Sequence, residues 1–299
     1  MRLLNVSKQG AVGSTELQVL SEEQLGRLHK VLLLILDDTL EICRENGLRF
    51  VLIGGSAIGA LRHGGFIPWD DDIDLAMPRA DFEKFTRIVR ERYGDKYTIL
   101  HPRDRENYGR TIPKIRLNGT EYRTVLEKDL DECGVFIDIF LIENVPDNNL
   151  LMFCQGFLSM AFSFALSCRR LFRGRKWYGQ FMPGLSFRVK CALGFLFSFA
   201  SYETWTRWTD YWNSRCRNPK TRRVSIPTDE RHYFGEINTR QALCQTREVI
   251  FEGRTCYVPA QVESYLTGIY GDYMQIPPKE KQERNRYLAY DLGAYGDGE

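Results

Sequence analysis

The chain has 299 residues, enough to bury a substantial core as one elaborated domain or as a catalytic domain with a second one. Its 41 lysines and arginines nearly balance its 39 acids, and the net charge of +2 gives no general case for nucleic-acid binding. The eight cysteines are scattered and lack the close spacing of a zinc site, so we expect reduced thiols in a cytosolic protein.

The first predicted elements are a helix and a buried strand. Ser21 and Gln24 form a capping-box pattern ahead of leucines and isoleucines at helical spacing, and Gly47 is a natural helix end. Residues 48–53 are apolar and rich in branched side chains, which predicts a buried strand.

A glycine turn follows this strand and leads into a short predicted helix over residues 57–62. A strand, a glycine turn and a helix start are the geometry in which backbone N–H groups meet an anion. Gly54, Gly55 and Ser56 are therefore candidate phosphate-binding residues. The tripeptide alone is a weak signal, because most such sequences are ordinary turns.

Four carboxylates occur within five residues at Asp70-Asp71-Asp72-Ile73-Asp74. In a strand, Asp72 and Asp74 would point to one face while Ile73 enters the core. Two adjacent carboxylates near a glycine turn suit a divalent cation bound to a polyphosphate. Acidic runs are usually solvated loops, but this one is flanked by apolar residues. A calcium loop of the EF-hand type is excluded, because Leu75 stands where that loop needs glycine.

A second apolar strand is predicted at 135–141, and it carries a single acid, Asp138. A carboxylate in a hydrophobic strand is costly unless it is paired or metal-bound. Alternatively, the Asp138 carboxylate faces solvent from a half-exposed strand. Together with Asp72 and Asp74, we favour Asp138 as a third metal ligand. Upstream, Arg110, Lys114 and Arg116 either line a phosphate channel or form the solvated face of a strand.

Residues 150–205 are aromatic-rich and apolar, with a basic cluster at 169–176 and further cations at 215–223. Two interpretations stay open for the apolar stretch. It forms either helices in a membrane interface, held by apolar burial and anionic lipid, or a helical subdomain with its own core. Further on, we predict a strand pair around Glu252-Gly253, a helix from Pro259, and a frayed polar end over the last twenty residues.

These segments resemble the LicD family of phosphotransferases, within the nucleotidyltransferase-fold superfamily. The resemblance rests first on the continuous stretch from Gly54 to Pro78, and then on shorter matches. These are Phe136-Ile137-Asp138-Ile139-Phe140, Phe251-Glu252-Gly253, Val258-Pro259 and Tyr270-Gly271-Asp272-Tyr273.

The resemblance implies an α+β fold with a nucleotidyltransferase-like mixed β-sheet core, flanked by helices and carrying an inserted helical segment. We expect a catalytic core over 21–145, a helical apolar-basic segment over 146–230 whose proximity to a membrane stays open, and a C-terminal part over 231–285 that completes the domain. We expect a cytoplasmic protein, with peripheral contact to the inner face of the membrane through 150–200 as an open alternative.

The resemblance also implies transfer of a substituted phosphate, phosphocholine from CDP-choline or a related CDP-alcohol, to a sugar hydroxyl of a lipid-linked glycan precursor. Such precursors are of the teichoic acid, lipopolysaccharide or capsule type. We expect Asp72, Asp74 and Asp138 to be catalytic and to hold Mg²⁺ or Mn²⁺. Further candidates for substrate contact are Arg62, Lys114, Arg116 and Trp69, the last as a π-face for a quaternary ammonium or as a packing residue.

Two other functions stay open. A nucleotidyltransferase acting on a sugar or alcohol would use the same metal geometry, because the reaction depends on which phosphorus faces the acceptor. A non-catalytic nucleotide- or glycan-binding module is disfavoured by the three acids, for which such a module has no use.

Overall fold

The computed structural model describes residues 17–104, 110–128, 133–181, 184–282 and 285–296. The fold is α+β with a mixed sheet, which confirms the predicted class. The helices are α1 Glu22–Asn46, α2 Gly54–His63, α3 Arg79–Arg92, α4 Asn149–Arg173, α5 Arg175–Phe181, α6 Leu185–Leu196, α7 Tyr202–Asn213, α8 His232–Gly235, α9 Arg240–Cys244 and α10 Val262–Tyr270.

The strands lie before and after the helices α4 to α7 in the sequence. They are β1 Val51–Leu52, β2 Asp74–Pro78, β3 Tyr97–Leu100, β4 Lys114–Leu117, β5 Glu121–Thr124, β6 Phe136–Val145, β7 Arg223–Ser225, β8 Asn238–Thr239, β9 Thr246–Phe251, β10 Arg254–Pro259 and β11 Tyr287–Asp291.

The chain divides into two compact units. The sheet unit contains residues 17–100, 113–142 and the described residues from 238 to 296. The helical unit contains, among the described residues, 101–104, 110–112 and the chain from 143 to 237. The predicted partition at 145/146 and 230/231 stays a prediction.

The sheet unit is built on five strands in the order β1-β2-β6-β4-β3. β2 and β6 are parallel neighbours, and the other pairs in this order are antiparallel. α1 begins at the predicted capping box of Ser21 and Gln24 and ends at Gly47, whose φ of 61° is left-handed. The apolar face of α1 is buried through Leu28, Leu32 and other residues of the same stripe.

Three sequence predictions need correction. The predicted strand over 48–53 is only two residues long, Val51–Leu52. The glycine turn is the first turn of α2, which begins at Gly54 itself, and the left-handed φ of 53° at Gly54 is one that glycine readily adopts. The last twenty residues are not uniformly frayed, since β11 pairs with β5 across the sheet unit. The ring of Tyr287 packs on Tyr122 at a tilt and that of Tyr290 packs on it edge-on, and a single sequence gives no sign of such a distant pairing.

The helical unit has a core of its own. Ala165 and Leu166 of α4 pack with Trp205 of α7, and α6 also packs on α4, where Gly194 meets the backbone of Cys168. The 143–145 end of β6 pairs with β7 in this unit. α4 is the one helix among the described residues that is long and apolar enough to cross a membrane, by length and composition.

Candidate active site

The candidate site forms where β2 begins beside β6. Asp74 is the first residue of β2 and is the register partner of Asp138 on the parallel strand β6. Backbone hydrogen bonds fix this register, since the N–H of Asp138 donates to the carbonyl of Ile73 at 3.1 Å. Directly opposed residues on neighbouring strands carry their Cβ atoms about 5 Å apart, so the two carboxylates, sixty-four positions apart in sequence, belong to one site.

Asp72 lies in the segment before β2 rather than on the strand, which corrects the predicted strand position. Asp70, Asp71 and Asp72 each offer a carboxylate oxygen within 4.8 Å of the other two. Asp70 and Asp72 are half-buried, and Asp71 is buried. This loop therefore brings the three carboxylates of the acidic run close together.

Burial is the main cause of the raised pKa values of Asp70, Asp71 and Asp72. It raises the pKa of the Asp70 carboxyl to about 7, with the neighbouring Asp71 adding to the rise. Burial also raises the pKa of Asp72 far above its ordinary value, and the charges of Asp70, Asp74, Asp71 and Asp138 raise it further. A divalent cation would supply the positive charge that this arrangement calls for, and carboxylate oxygens are the ligands that hard cations prefer. The residues present therefore fit a Mg²⁺ or Mn²⁺ site.

Asp71 is held by two side chains from distant parts of the sheet unit. The hydroxyl of Tyr122 donates to Oδ2 of Asp71, and Nδ2 of Asn285 donates to Oδ1 at 2.7 Å. Burial raises the pKa of Asp71, while these two hydrogen bonds oppose the rise. Asp71 thus has both oxygens engaged by the protein, as a residue that shapes the loop would.

His29 of α1 fixes the backbone of the same loop. Its Nε2 lies 2.7 Å from the carbonyl oxygen of Asp70, and its ring stacks on Phe66 at 3.8 Å between centroids. Burial lowers the pKa of His29, so a neutral imidazole that donates from Nε2 suits this contact. Glu252 supports the segment from the other side by accepting the N–H of Phe66 at 3.1 Å.

The predicted phosphate-binding glycines lie directly beside the acids. A Cβ added to Gly55 would stand 2.6 Å from Oδ2 of Asp70, and one added to Gly54 would stand 3.2 Å from Oδ2 of Asp74. Ser56 is buried, and its Oγ accepts the backbone N–H of Asp74 at 2.8 Å. The first turn of α2 and the start of β2 are therefore one packed unit, and phosphate binding by these three residues stays a prediction.

Lys114 is buried between two acids. Its Nζ lies 3.0 Å from Oε1 of Glu127 and 3.2 Å from Oδ1 of Asp138, and 3.1 Å from the ring centroid of Phe136. Glu127 in turn accepts the hydroxyl of Thr124 at 3.0 Å. The solvated-face interpretation is therefore wrong for Lys114 and Arg116, which are only 4% and 6% exposed.

Arg62 reaches away from the acids. Its Nη1 donates to the carbonyl oxygen of Tyr273 at 2.6 Å, which ties α2 to the segment after α10. Trp69 is half-buried and meets the ring of His63 edge-on, with centroids 6.5 Å apart. Arg110 is half-buried in the part of the helical unit that the structure describes.

The structure thus brings together the acids, the glycine turn and Lys114. Sequence reasoning missed the residues that hold them in place, namely His29, Tyr122, Glu127, Glu252 and Asn285. Only Glu252 carried a signal in the sequence, as part of the Phe251-Glu252-Gly253 match.

The chain is similar to several known proteins. Residues 47–156 match the family model described as LicD/FKTN/FKRP, nucleotidyltransferase domain. The chain is 27% identical over 278 residues to the lipopolysaccharide cholinephosphotransferase LicD of Haemophilus influenzae. This alignment covers 88% of this chain and 94% of that protein. A short segment of 31 residues is 58% identical to the ribitol 5-phosphate transferase FKRP of Homo sapiens, covering 10% of this chain and 6% of that protein.

The fold, the acidic site and these relatives define the class: the chain is a homologue of phosphotransferases. More narrowly, it carries a LicD family domain over residues 47–156, as its sequence pattern predicted.

Proposed function

We propose that this chain transfers a substituted phosphate, phosphocholine foremost, from a cytidine diphosphate alcohol to a sugar hydroxyl of a cell-surface glycan precursor. The relative that aligns along most of the chain is named as a cholinephosphotransferase acting on lipopolysaccharide, which supports this substrate class. We also propose a cytoplasmic location, where nucleotide-activated donors and lipid-linked glycan precursors meet.

The observation that carries the proposal is the register of Asp74 with Asp138. It places two acids on adjacent parallel strands, next to a loop that adds Asp72. We propose that Asp72, Asp74 and Asp138 hold Mg²⁺ or Mn²⁺. When bound, the ion supplies charge neutralisation for the donor diphosphate and the departing nucleotide.

The surrounding residues have positioning roles in this proposal. Ser56 fixes the start of β2 through the N–H of Asp74, and Lys114 fixes Asp138 from its buried place beside Glu127. The first turn of α2 leaves its backbone N–H groups without partners in the helix, and these suit a donor phosphate. Trp69, beside the acidic loop, is proposed as a face for a quaternary ammonium.

One alternative has a specific observation in its favour, because the matching family model is described as a nucleotidyltransferase domain. A nucleotidyltransferase would attach the nucleotide to the acceptor, whereas the proposed reaction attaches the phosphoalcohol and releases CMP. The two reactions therefore differ in their products.

The test is to incubate the protein with a panel of CDP-alcohols, a glycan acceptor and Mg²⁺, and to follow CMP release together with the mass of the acceptor. CMP release with a phosphoalcohol on the acceptor supports the proposal. A nucleotidylated acceptor would contradict it in favour of the alternative. Donor binding that needs no metal and gives no turnover would favour a binding module.

A further inference from the structure

The helical unit exposes many large apolar side chains on two of its helices. On α4 all of them except Leu151 follow helical spacing and so share one face, and on and after α6 they continue to residue 199. The α4 residues are Leu150, Leu151, Phe153, Phe157, Met160 and Phe164; the others are Leu185, Val189, Phe195, Leu196 and Phe199. Leu150, Leu185 and Phe199 are each more than 70% exposed. We call these residues together the apolar face; large exposed apolar patches mark interaction sites.

The opposite face of α4 packs against α7. Nε2 of Gln155 donates to the carbonyl oxygen of Asn213 at 3.2 Å, and Oγ of Ser159 donates to Oδ1 of the same residue at 2.6 Å. Both α4 residues are buried against α7, which carries Glu203 and Asp210. A spanning α4 would take these polar contacts and the charged α7 into hydrocarbon, so α4 suits a position along a membrane surface rather than across it.

The chain segment that carries this face has charges of one sign. Residues 148–202 contain no aspartate or glutamate, and they contain the cations Arg169, Arg170, Arg173, Arg175, Lys176, Arg188 and Lys190.

Some of these cations lie beside a half-buried ring that adjoins an exposed one. The guanidinium of Arg175 lies 4.6 Å from the ring centroid of Phe172, and Phe172 meets the exposed Phe195 edge-on at 5.8 Å. Arginine stems that cover apolar surface while their charged ends reach phosphate are typical of residues at a bilayer interface.

We propose that the apolar face binds the surface of an anionic phospholipid bilayer. The leucine and phenylalanine side chains enter the boundary between head groups and acyl chains, and the cations contact lipid phosphates. A second copy of this chain is a poorer occupant, because a two-fold interface would oppose the same cations to each other. The proposal does not depend on the reaction, because vesicle binding needs neither donor nor acceptor.

The test is co-flotation of the full chain with vesicles of phosphatidylcholine alone or mixed with phosphatidylglycerol. We expect strong binding to the anionic vesicles that added salt weakens, and weak binding to the neutral ones. The combined substitutions L150Q, F157Q, L185Q and F199Q should lower the partition coefficient at least about tenfold. The matched control replaces four exposed apolar residues of the sheet unit, V19Q, I250Q, M274Q and I276Q, and should bind like the wild type.

A charge variant separates the electrostatic part of the binding. R175Q, K176Q and R188Q should reduce binding to anionic vesicles several-fold while leaving the weak binding to neutral vesicles unchanged. K84Q, R87Q and R92Q remove the same charge from exposed positions of α3 and should have little effect. Thermal unfolding checks that every variant folds, which we expect because the replaced side chains are exposed.

Three outcomes would overturn the proposal. The first is absence of binding to either vesicle type. The second is equal loss of binding in the apolar variant and its control. The third is a dimer in light scattering that the apolar substitutions convert to a monomer, which would assign the face to a second copy of the chain.

Discussion

Asp74 and Asp138 are register partners on the parallel strands β2 and β6, so the backbone hydrogen bonds of the sheet hold their carboxylates side by side. Side chains placed by strands are held more rigidly than side chains on loops, which suits a site that must fix a metal and a diphosphate together.

We expect Asp74→Asn to remove a ligand while leaving the fold intact, because asparagine keeps the shape of aspartate. CMP release should fall by at least about a hundredfold, since even residues that only support a metal ligand cost 10–100-fold. Mg²⁺ titration followed by calorimetry should show weaker binding. Asp95→Asn, at an exposed position of the same unit, is the control and should keep full activity. Near-normal turnover of Asp74→Asn would remove this residue from the site.

Metal should stabilise the protein through the same acids. Mg²⁺ should raise Tm and increase the unfolding free energy by about 2.7 kcal/mol at a hundred times its Kd, and EDTA should reverse the effect. Asp72→Asn should stabilise the metal-free protein, because it removes a carboxylate whose charged form burial and the neighbouring acids disfavour. The same variant should respond less to Mg²⁺. An unchanged metal response would contradict the role of Asp72.

Lys114→Met should leave Glu127 and Asp138 buried without their cation, at a cost of about 3–5 kcal/mol in urea unfolding. Adding Glu127→Gln should recover part of that loss, because one buried charge is then removed. If the single and double variants were equally unstable, the ion pair would not explain the effect.

Ser56→Ala should leave the buried N–H of Asp74 without its acceptor, at a cost of about 1–3 kcal/mol. Because this bond positions the start of β2, we expect turnover to fall more than the loss of stability alone explains. Assays well below Tm separate the two effects. Ser56→Thr keeps the hydroxyl and should restore turnover; failure to do so would point to crowding at this buried position.

Glu236 in the helical unit makes stability depend on pH. It is 1% exposed, and burial, followed by the charge of Asp229, raises its pKa from 4.5 to about 7. The folded state keeps a proton that the unfolded chain releases, so the free energy of unfolding falls as pH rises between these two values.

Glu236→Gln should remove this dependence. The free energy of unfolding should rise by roughly 3 kcal/mol near pH 8 and stay nearly unchanged near pH 4, where glutamate is mostly protonated in both states. Exposed Glu248→Gln is the control and should change neither value. Equal effects of Glu236→Gln at both pH values would show that the carboxyl does not titrate as inferred.

Local patterns gave much of the fold correctly. The cap at Ser21 and the helix end at Gly47 depend on residues within a few positions of one another, and both are confirmed. Predictions failed where contacts between residues far apart in sequence determine the structure. β11 forms because β5 offers it a partner, and Lys114 is buried because Glu127 and Asp138 neutralise it.

The sequence by itself identified the glycine turn and the acids at 70–74 and 138 as the candidate site. It did so because the stretch from Gly54 to Pro78 resembles a phosphotransferase family pattern without a break, and a shorter match contains Asp138. Only the tertiary structure decided how those acids are arranged. The parallel register of β2 and β6 pairs Asp74 with Asp138, and contacts from Tyr122 and Asn285 hold Asp71 in place. Register and burial depend on strands and side chains far apart in the chain, which no local pattern specifies.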